Sequence, residues 1–144
     1  MKARYLSLLP QYLHWPKMAA TPLVIGTMQE DRGEAKYVTY LGKKSKGQFA
    51  LKRFSDPKEI ETCHIFFLSS AVDSKIQSEV IAQLQGQPVL IVGDSPDILE
   101  VGGAIRFKVE QNRMFLMISQ PALKRAKLRA DSGFLALDSV VVVD

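Results

Sequence analysis

Three short, predominantly apolar runs constrain this chain more than any other feature of its sequence. They are Pro22–Met28, His64–Leu68 and Pro88–Val92. Each has the length of a β-strand, and none approaches the roughly 18 residues that a membrane-spanning helix requires. Strands without polar alternation are covered on both faces, which is typical of a parallel sheet between two layers of helices.

The segments between these runs show the spacing of amphipathic helices. We predict helices over Lys2–Leu13 and Asp31–Leu41, an alternating strand over Gly47–Phe54, and a third helix that begins at Ser74 and ends before Gly86. Ser74 and Gln77 match the spacing of a capping box at the start of this third helix. Strands that alternate with helices predict right-handed crossovers and a largely parallel sheet.

The pattern changes after the third run. Ile105, Phe107 and Val109 alternate with charged residues, and Met114–Ile118 returns after a turn at Gln111–Asn112, which predicts an antiparallel hairpin at the edge of the sheet. A basic helix follows from Pro121, with Leu123, Ala126 and Leu128 spaced for burial, and Ser132–Leu137 continues as a helix or forms a second helical piece. The predicted fold class is α/β: residues 1–144 form one three-layer α/β/α domain with a largely parallel sheet and a C-terminal antiparallel hairpin.

Composition excludes several classes of protein. Hydrophobic residues make up 47% of the chain and charged residues 24%, which excludes disorder. The single Cys63 cannot form an intrachain disulfide, and no Cys/His set has zinc-site spacing.

The net charge of +4 conceals two unopposed basic stretches, Lys36–Arg53 with six bases and Lys124–Arg129 with four. Leu41–Lys46 and Ala122–Ala130 lack the interleaved aromatic residues with which proteins stack on nucleic-acid bases. We therefore expect solvated faces and no nucleic-acid partner.

The loop after Pro88–Val92 is the candidate site, because ligands of parallel sheets lie beyond the carboxyl ends of the strands. Its candidate residues are Asp94, Ser95, Asp97, Gly102 and Gly103. The glycine pair permits close backbone approach or positive φ. The alternative interpretation is a structural turn into the hairpin, since Asp and Gly are also ordinary turn residues.

Catalytic chemistry has little support in the sequence. Neighbouring residues of a strand point to opposite faces, so Cys63 and His64 cannot form a dyad, and we expect Cys63 to be a buried apolar thiol. No glycine-rich phosphate-binding motif occurs. We predict no catalytic residue, no cofactor and no metal.

Several segments together resemble the YfiR-like family, in the same order along nearly the whole chain. They are the opening Lys2–Pro16 with its Trp-Pro end, the Cys-His-apolar strand Cys63–Leu68, the apolar strand Pro88–Gly93 with Asp94, the Gly102–Phe107 hairpin start, and the closing helix Leu123–Leu137.

This resemblance implies a non-catalytic periplasmic protein whose export signal has been removed. Members with an assigned role hold back a membrane-bound diguanylate cyclase through its periplasmic domain, which lowers cyclic-di-GMP output and biofilm formation, and they form dimers. Other members are sensory domains near membrane receptors. The family's better-known regulators carry additional cysteines in disulfides, whereas this chain has Cys63 alone.

Three functions follow as hypotheses. The first is a regulator that binds a membrane signalling protein through an apolar surface on its C-terminal helices, with Leu123, Arg125, Leu128 and Phe134 as candidate contacts. The second is a small-ligand sensory module, in which the Asp94–Gly103 loop forms a pocket rim and the basic Lys43–Arg53 stretch favours anions. The third is a hydrolase that uses Asp94 and Asp97.

Overall fold

A computed structural model describes residues 9, 12–15, 23–28, 49–60 and 63–143 of the chain. The strands are β1 Leu13–His14, β2 Leu23–Met28, β3 Phe49–Phe54, β4 Ile65–Leu68, β5 Leu90–Gly93, β6 Ile105–Glu110, β7 Arg113–Ser119, β8 Arg129–Ala130 and β9 Val140–Val143. The helices are α1 Ser74–Leu84, α2 Gln120–Arg125 and α3 Ser132–Leu135, and a 3-10 turn covers Pro57–Glu59.

Seven of these strands form one sheet, in the order β3-β2-β4-β5-β6-β7-β9. The strands from β3 to β6 in this order are parallel to one another. β7 is antiparallel to β6, and β9 is parallel to β7. The two short strands β1 and β8 pair separately and antiparallel. The predicted α/β class with a largely parallel sheet is confirmed.

The sheet has an apolar core on each face, because alternate residues of its central strands enter different cores. Phe66 and Leu68 of β4 pack with α1 on one face, which we call the α1 face. Ile65 and Phe67 pack on the other, the α2 face, with residues of β1, α2 and α3. All four β4 side chains are 0% exposed. The three-layer arrangement is therefore present, and both apolar cores meet at β4.

The predicted hairpin is present as β6 and β7. Gln111 and Asn112 in its turn have φ of 49° and 63°, the left-handed values that a tight two-residue hairpin turn requires. The hairpin does not form the edge of the sheet, however. The chain returns through α2 and α3 and places Val140–Val143 as β9 outside β7, so that part of the prediction is wrong.

Two predicted helices differ in length from those in the structure. The basic helix ends at Arg125, because Lys127 takes a φ of 61°, and Leu128 lies outside it. The last helix stops at Leu135. Near the N-terminus, Leu13 belongs to β1, where it pairs with Ala130, and not to a helix. The remainder of the predicted first helix, apart from Leu9 and Tyr12, and the whole Asp31–Leu41 helix lie outside the described residues.

The start of α1 also differs from the prediction. Asp73 is its N-cap, and the Asp73 carboxylate accepts a hydrogen bond from the Lys75 amide at 2.8 Å. Ser74 is already inside the helix, and the Gln77 side chain is buried, where it bonds elsewhere. The capping box is therefore wrong, whereas Gly86, with φ of 84°, follows the helix end as predicted.

This cap gives a direct test of where α1 begins. Asp73→Ala removes the acceptor for the Lys75 amide, so we expect it to lower the free energy of unfolding by about 1 kcal/mol. The neighbouring Ser74→Ala is the matched control, since both positions are exposed, and it changes stability by less than about 0.5 kcal/mol. Urea denaturation measures both. The reverse order of effects would show that Ser74 caps the helix.

Candidate functional site

The predicted Asp94–Gly103 loop lies where the sequence places it, at the carboxyl end of β5 and beside the end of β4. The Asp94 carboxylate accepts a hydrogen bond from the Ser70 amide at 2.6 Å. This bond ties the segment after β5 to the segment after β4. Asp97 is exposed on the surface of the loop.

Ser95 is buried and takes part in a polar network centred on Gln77 of α1. The Gln77 amide nitrogen donates to the carbonyls of Val72 at 2.7 Å and Ser69 at 3.3 Å, and it lies 3.2 Å from the Ser95 hydroxyl. The hydroxyl lies 3.4 Å from the Gln77 amide oxygen. One buried side chain therefore holds together the end of β4, the start of α1 and the loop after β5.

The glycine pair makes room for the loop's own apolar residue. A Cβ on Gly103 would lie 2.7 Å from the Ile98 side chain and 2.8 Å from the Ile98 carbonyl oxygen. Gly102 has a φ of 120°, and a Cβ there would lie 2.8 Å from Ile81 of α1. Ile98 is completely buried. Gly102 therefore permits close packing of the loop onto α1, and Gly103 permits close packing within the loop against Ile98.

A small pocket opens next to this loop, between α1 and α2. Its walls include Ile81, Leu84, Gly102 and Arg125, and its volume is about 30 Å³. A water molecule needs roughly 10–15 Å³ measured in this way, so the pocket has room for about two.

The predicted partner surface on the C-terminal helices is wrong for three of its four residues. Leu123, Leu128 and Phe134 are 1%, 6% and 3% exposed and belong to the core of the α2 face. Because α2 has six residues and α3 has four, their apolar side chains are used in covering the sheet. Arg125 is exposed, as are the other bases of the Lys124–Arg129 stretch.

Cys63 and His64 have separate structural roles. Burial raises the pKa of the Cys63 thiol to about 12, partly offset by the nearby Lys52 charge, which leaves almost no thiolate at neutral pH. The His64 Nδ1 accepts a hydrogen bond from the Val24 amide at 2.9 Å, and the His64 carbonyl accepts one from the Trp15 indole at 3.1 Å. Cys63 is therefore the buried thiol that the sequence predicts, and His64 joins β2 to β4.

Within the described part of the chain, one portion of the α1 face is left open, and no sequence pattern points to it. Side chains of β6, β7 and β9 project there, beyond α1 and the Asp94–Gly103 loop. Arg106, Met117 and Val141 are paired neighbours across these three strands. Val141 is 44% exposed. We call this surface the outer sheet face; its members are Arg106, Lys108, Phe115, Met117, Val141 and Val143, all partly or largely exposed.

Basic side chains of the hairpin lie on or beside the outer sheet face, and they differ in their partners. Lys108 pairs with Glu110 at 2.8 Å, and the Arg113 guanidinium lies 5.3 Å from the centre of the Phe115 ring. One Arg106 nitrogen lies 3.6 Å from the Met117 sulfur, while its Nε is buried without a hydrogen-bond partner. Within the described ranges, no carboxylate pairs with Arg106.

Among the residues that the structure describes, no group of three or more His, Cys, Asp or Glu side chains could hold a metal ion. None of the helices in this part of the chain is long and apolar enough to cross a membrane.

Comparison with known proteins gives one family. The model of a family described as YfiR/HmsC-like matches residues 1–138 of the chain. Among curated proteins, none matches.

Solved structures share the fold at low sequence identity. A conserved domain protein from Vibrio cholerae aligns with a TM-score of 0.69 and 9% identity over 96% of this chain and 59% of that protein. The ABC domain of a Streptococcus pneumoniae protein, solved in complex with L-Trp, aligns with a TM-score of 0.68 and 11% identity over 98% of this chain and 60% of that one. The chain thus spans about three fifths of either structure.

The close packing at Gly103 predicts a large cost for one methyl group. Gly103→Ala pushes a Cβ against the Ile98 backbone, so we expect it to lower the free energy of unfolding by about 1–3 kcal/mol. Gly133→Ala is the matched control, because a Cβ there meets nothing within 4 Å and lies in α3. It leaves stability unchanged or raises it by up to about 1 kcal/mol. Equal effects in denaturant titrations would contradict the packing role of Gly103.

The partial burial of His64 predicts a pH-dependent stability. Burial lowers the pKa of His64 below its ordinary 6.5, so the unfolded chain binds the proton more tightly than the folded chain. The contribution of His64 to the free energy of unfolding is therefore fully present above pH 6.5. It is lost as the pH falls from that value towards the pKa of His64 in the folded chain. Protonation of Nδ1 would also remove the acceptor for the Val24 amide.

A matched variant isolates this contribution. Asn in place of His64 supplies an acceptor oxygen but does not titrate, so His64→Asn reduces the loss of stability between pH 7.5 and pH 5. His14, 2.6 Å from Asp131, remains in both proteins and cancels in the difference. Identical pH profiles for the two proteins would rule out His64 as a source of the dependence.

Proposed function

The chain belongs to the YfiR/HmsC-like family, and on this basis we propose that it is a non-catalytic periplasmic regulator that binds the periplasmic domain of a membrane signalling protein. The observation that carries the proposal is the family match, which extends over residues 1–138 of the 144. The regulated protein is a membrane-bound diguanylate cyclase, as the resemblance implies, and binding lowers the output of cyclic-di-GMP.

Regulation of this kind requires differential binding. A protein that binds the inactive conformation of its partner more tightly than the active one shifts the partner's equilibrium by that difference in affinity. A rigid surface suits the task, because it fits one conformation and not the other. The sheet supports such a surface, since its central strands are packed on both faces.

The chain's exposed apolar side chains favour a binding role. Monomeric proteins rarely expose large contiguous apolar patches, and such patches often mark interaction sites. Val141 of β9 is 44% exposed, and on the outer sheet face it lies beside Met117, which is partly exposed. Self-association, which the resemblance also implies, is a second use for such a surface, and light scattering distinguishes it from binding to another protein.

The proposal predicts a change in cellular cyclic-di-GMP. Deletion of the gene releases the cyclase, so we expect cyclic-di-GMP and biofilm mass to rise, and expression of the chain from a plasmid restores the lower level. Mass spectrometry of nucleotide extracts measures the first, and dye staining of surface-grown cells measures the second.

The control is a second deletion. When the gene of the regulated cyclase is also removed, the rise disappears, because the chain then has no cyclase to inhibit. A rise in cyclic-di-GMP that persists in the double deletion, which lacks this cyclase, would contradict the proposal. So would the failure of the purified chain to bind the periplasmic domain of that protein.

A further inference from the structure

The outer sheet face identifies a docking surface and the chemistry of its partner. We propose that an amphipathic helix of the partner protein lies across β6, β7 and β9, with its apolar side on Phe115, Met117 and Val141 and a carboxylate against Arg106. This inference rests on the proposed function and specifies which surface performs it.

The width of the outer sheet face fits one helix. Neighbouring strands lie about 4.8 Å apart, so this face spans about 10 Å from β6 to β9, close to the 10–12 Å diameter of an α-helix. Helices cover the faces of sheets in this fold class, and α1 already covers β4 and β5 on the same face. A helix on the outer sheet face would extend the helical layer formed by α1 towards the edge of the sheet.

The positive charges of the outer sheet face favour an acidic helix as the partner. Arg106 lies in a row with Leu68, Gly93, Met117 and Val141, so its guanidinium is a cation among apolar neighbours. Its Nε has lost contact with water and has no hydrogen-bond partner in the described structure. A carboxylate that reaches this group from a partner would form charge-assisted hydrogen bonds in a site that already excludes part of the solvent.

The same charges disfavour a second copy of the chain as the occupant. In a two-fold symmetric contact each residue near the axis faces its own copy. Near that axis Arg106 would approach its own copy and Arg113 would add like charge, while Lys108 is already paired with Glu110. Such like-charge contacts disfavour a symmetric dimer, whereas an acidic partner gains from Arg106, from Arg113 and from the chain's net charge of +4.

The test uses two neighbouring valines that differ only in the face they occupy. Val141 points to the outer sheet face and Val142 to the α2 face, and they are 44% and 43% exposed. The probe is the purified periplasmic domain of the membrane signalling protein encoded beside the chain, with affinity measured by isothermal titration calorimetry. We expect Val141→Asp to weaken binding about 30-fold or more, as for a residue central to an interface, and Val142→Asp to change it by less than about threefold.

A second pair of variants tests the charge. Arg106→Glu weakens binding by a similar factor, while Lys124→Glu, the same charge change at an exposed position on α2, has little effect. Replacement of the partner helix's acidic residue by Lys restores binding to Arg106→Glu and not to Val141→Asp. Thermal unfolding of each variant checks that it is folded, and should Arg106→Glu fail this check, the valine pair decides alone.

The outcomes separate this inference from the function on which it rests. If the unaltered chain does not bind the periplasmic domain, the proposed function and the docking surface both fail. If it binds, and both valine variants lose affinity equally, the partner pairs with the edge of β9 instead, and the helix proposal is overturned. It is also overturned if neither variant loses affinity, or if light scattering shows a dimer that Val141→Asp dissociates.

Discussion

Burial of β4 on both faces is the constraint on which the rest of the structure depends. Its four side chains, Ile65 to Leu68, have no contact with water, so apolar cover is needed on each side of the sheet. On one side α1 and the Asp94–Gly103 loop supply it, and Ile98 completes it between Gly93 and Gly103. On the other side the short elements β1, α2 and α3 do so. Among the residues that the structure describes, the cover on the α1 face does not extend to β7 and β9, which leaves apolar side chains exposed there.

The sequence predicts those features that depend on local pattern. Predominantly apolar runs mark β2, β4 and β5 as strands with two buried faces, and alternation marks β6 as a strand with one. Met114–Ile118 is apolar throughout, yet Phe115 and Met117 of β7 are only partly buried. Pairing across long separations leaves no such pattern. The four valines of β9 fit any position in the sheet, and the crossover through α2 and α3 decides that they join β7. Neighbouring residues with similar preferences also lead to errors. Asp73 and Ser74 are equally good N-cap residues, and in the structure Asp73 is the N-cap.

In the candidate site, too, the sequence predicts what depends on local pattern and not what depends on contacts between distant residues. The position of the Asp94–Gly103 loop follows from the rule for parallel sheets, but its internal contacts do not, since Gln77 and Ser95 are 18 residues apart. Leu123, Leu128 and Phe134 carry the apolar spacing of a helix, and that spacing is the same for a core residue and an interface residue. Only the shortness of α2 and α3 assigns them to the core. Arg106 looks like an ordinary polar residue of an alternating strand, and its neighbours in space distinguish it.

We propose that this chain acts by binding another protein through the outer sheet face. Its one natural cysteine, Cys63, is buried with a pKa of about 12, so a cysteine introduced at the surface reports without background. The most direct measurement is the rate at which a maleimide labels Val141→Cys, with Val142→Cys in parallel, with and without the partner's periplasmic domain. We expect the partner to slow labelling at position 141 at least tenfold and to leave the rate at position 142 unchanged. An equal labelling rate at position 141 with and without saturating partner, under conditions where the partner is bound, would contradict this proposal.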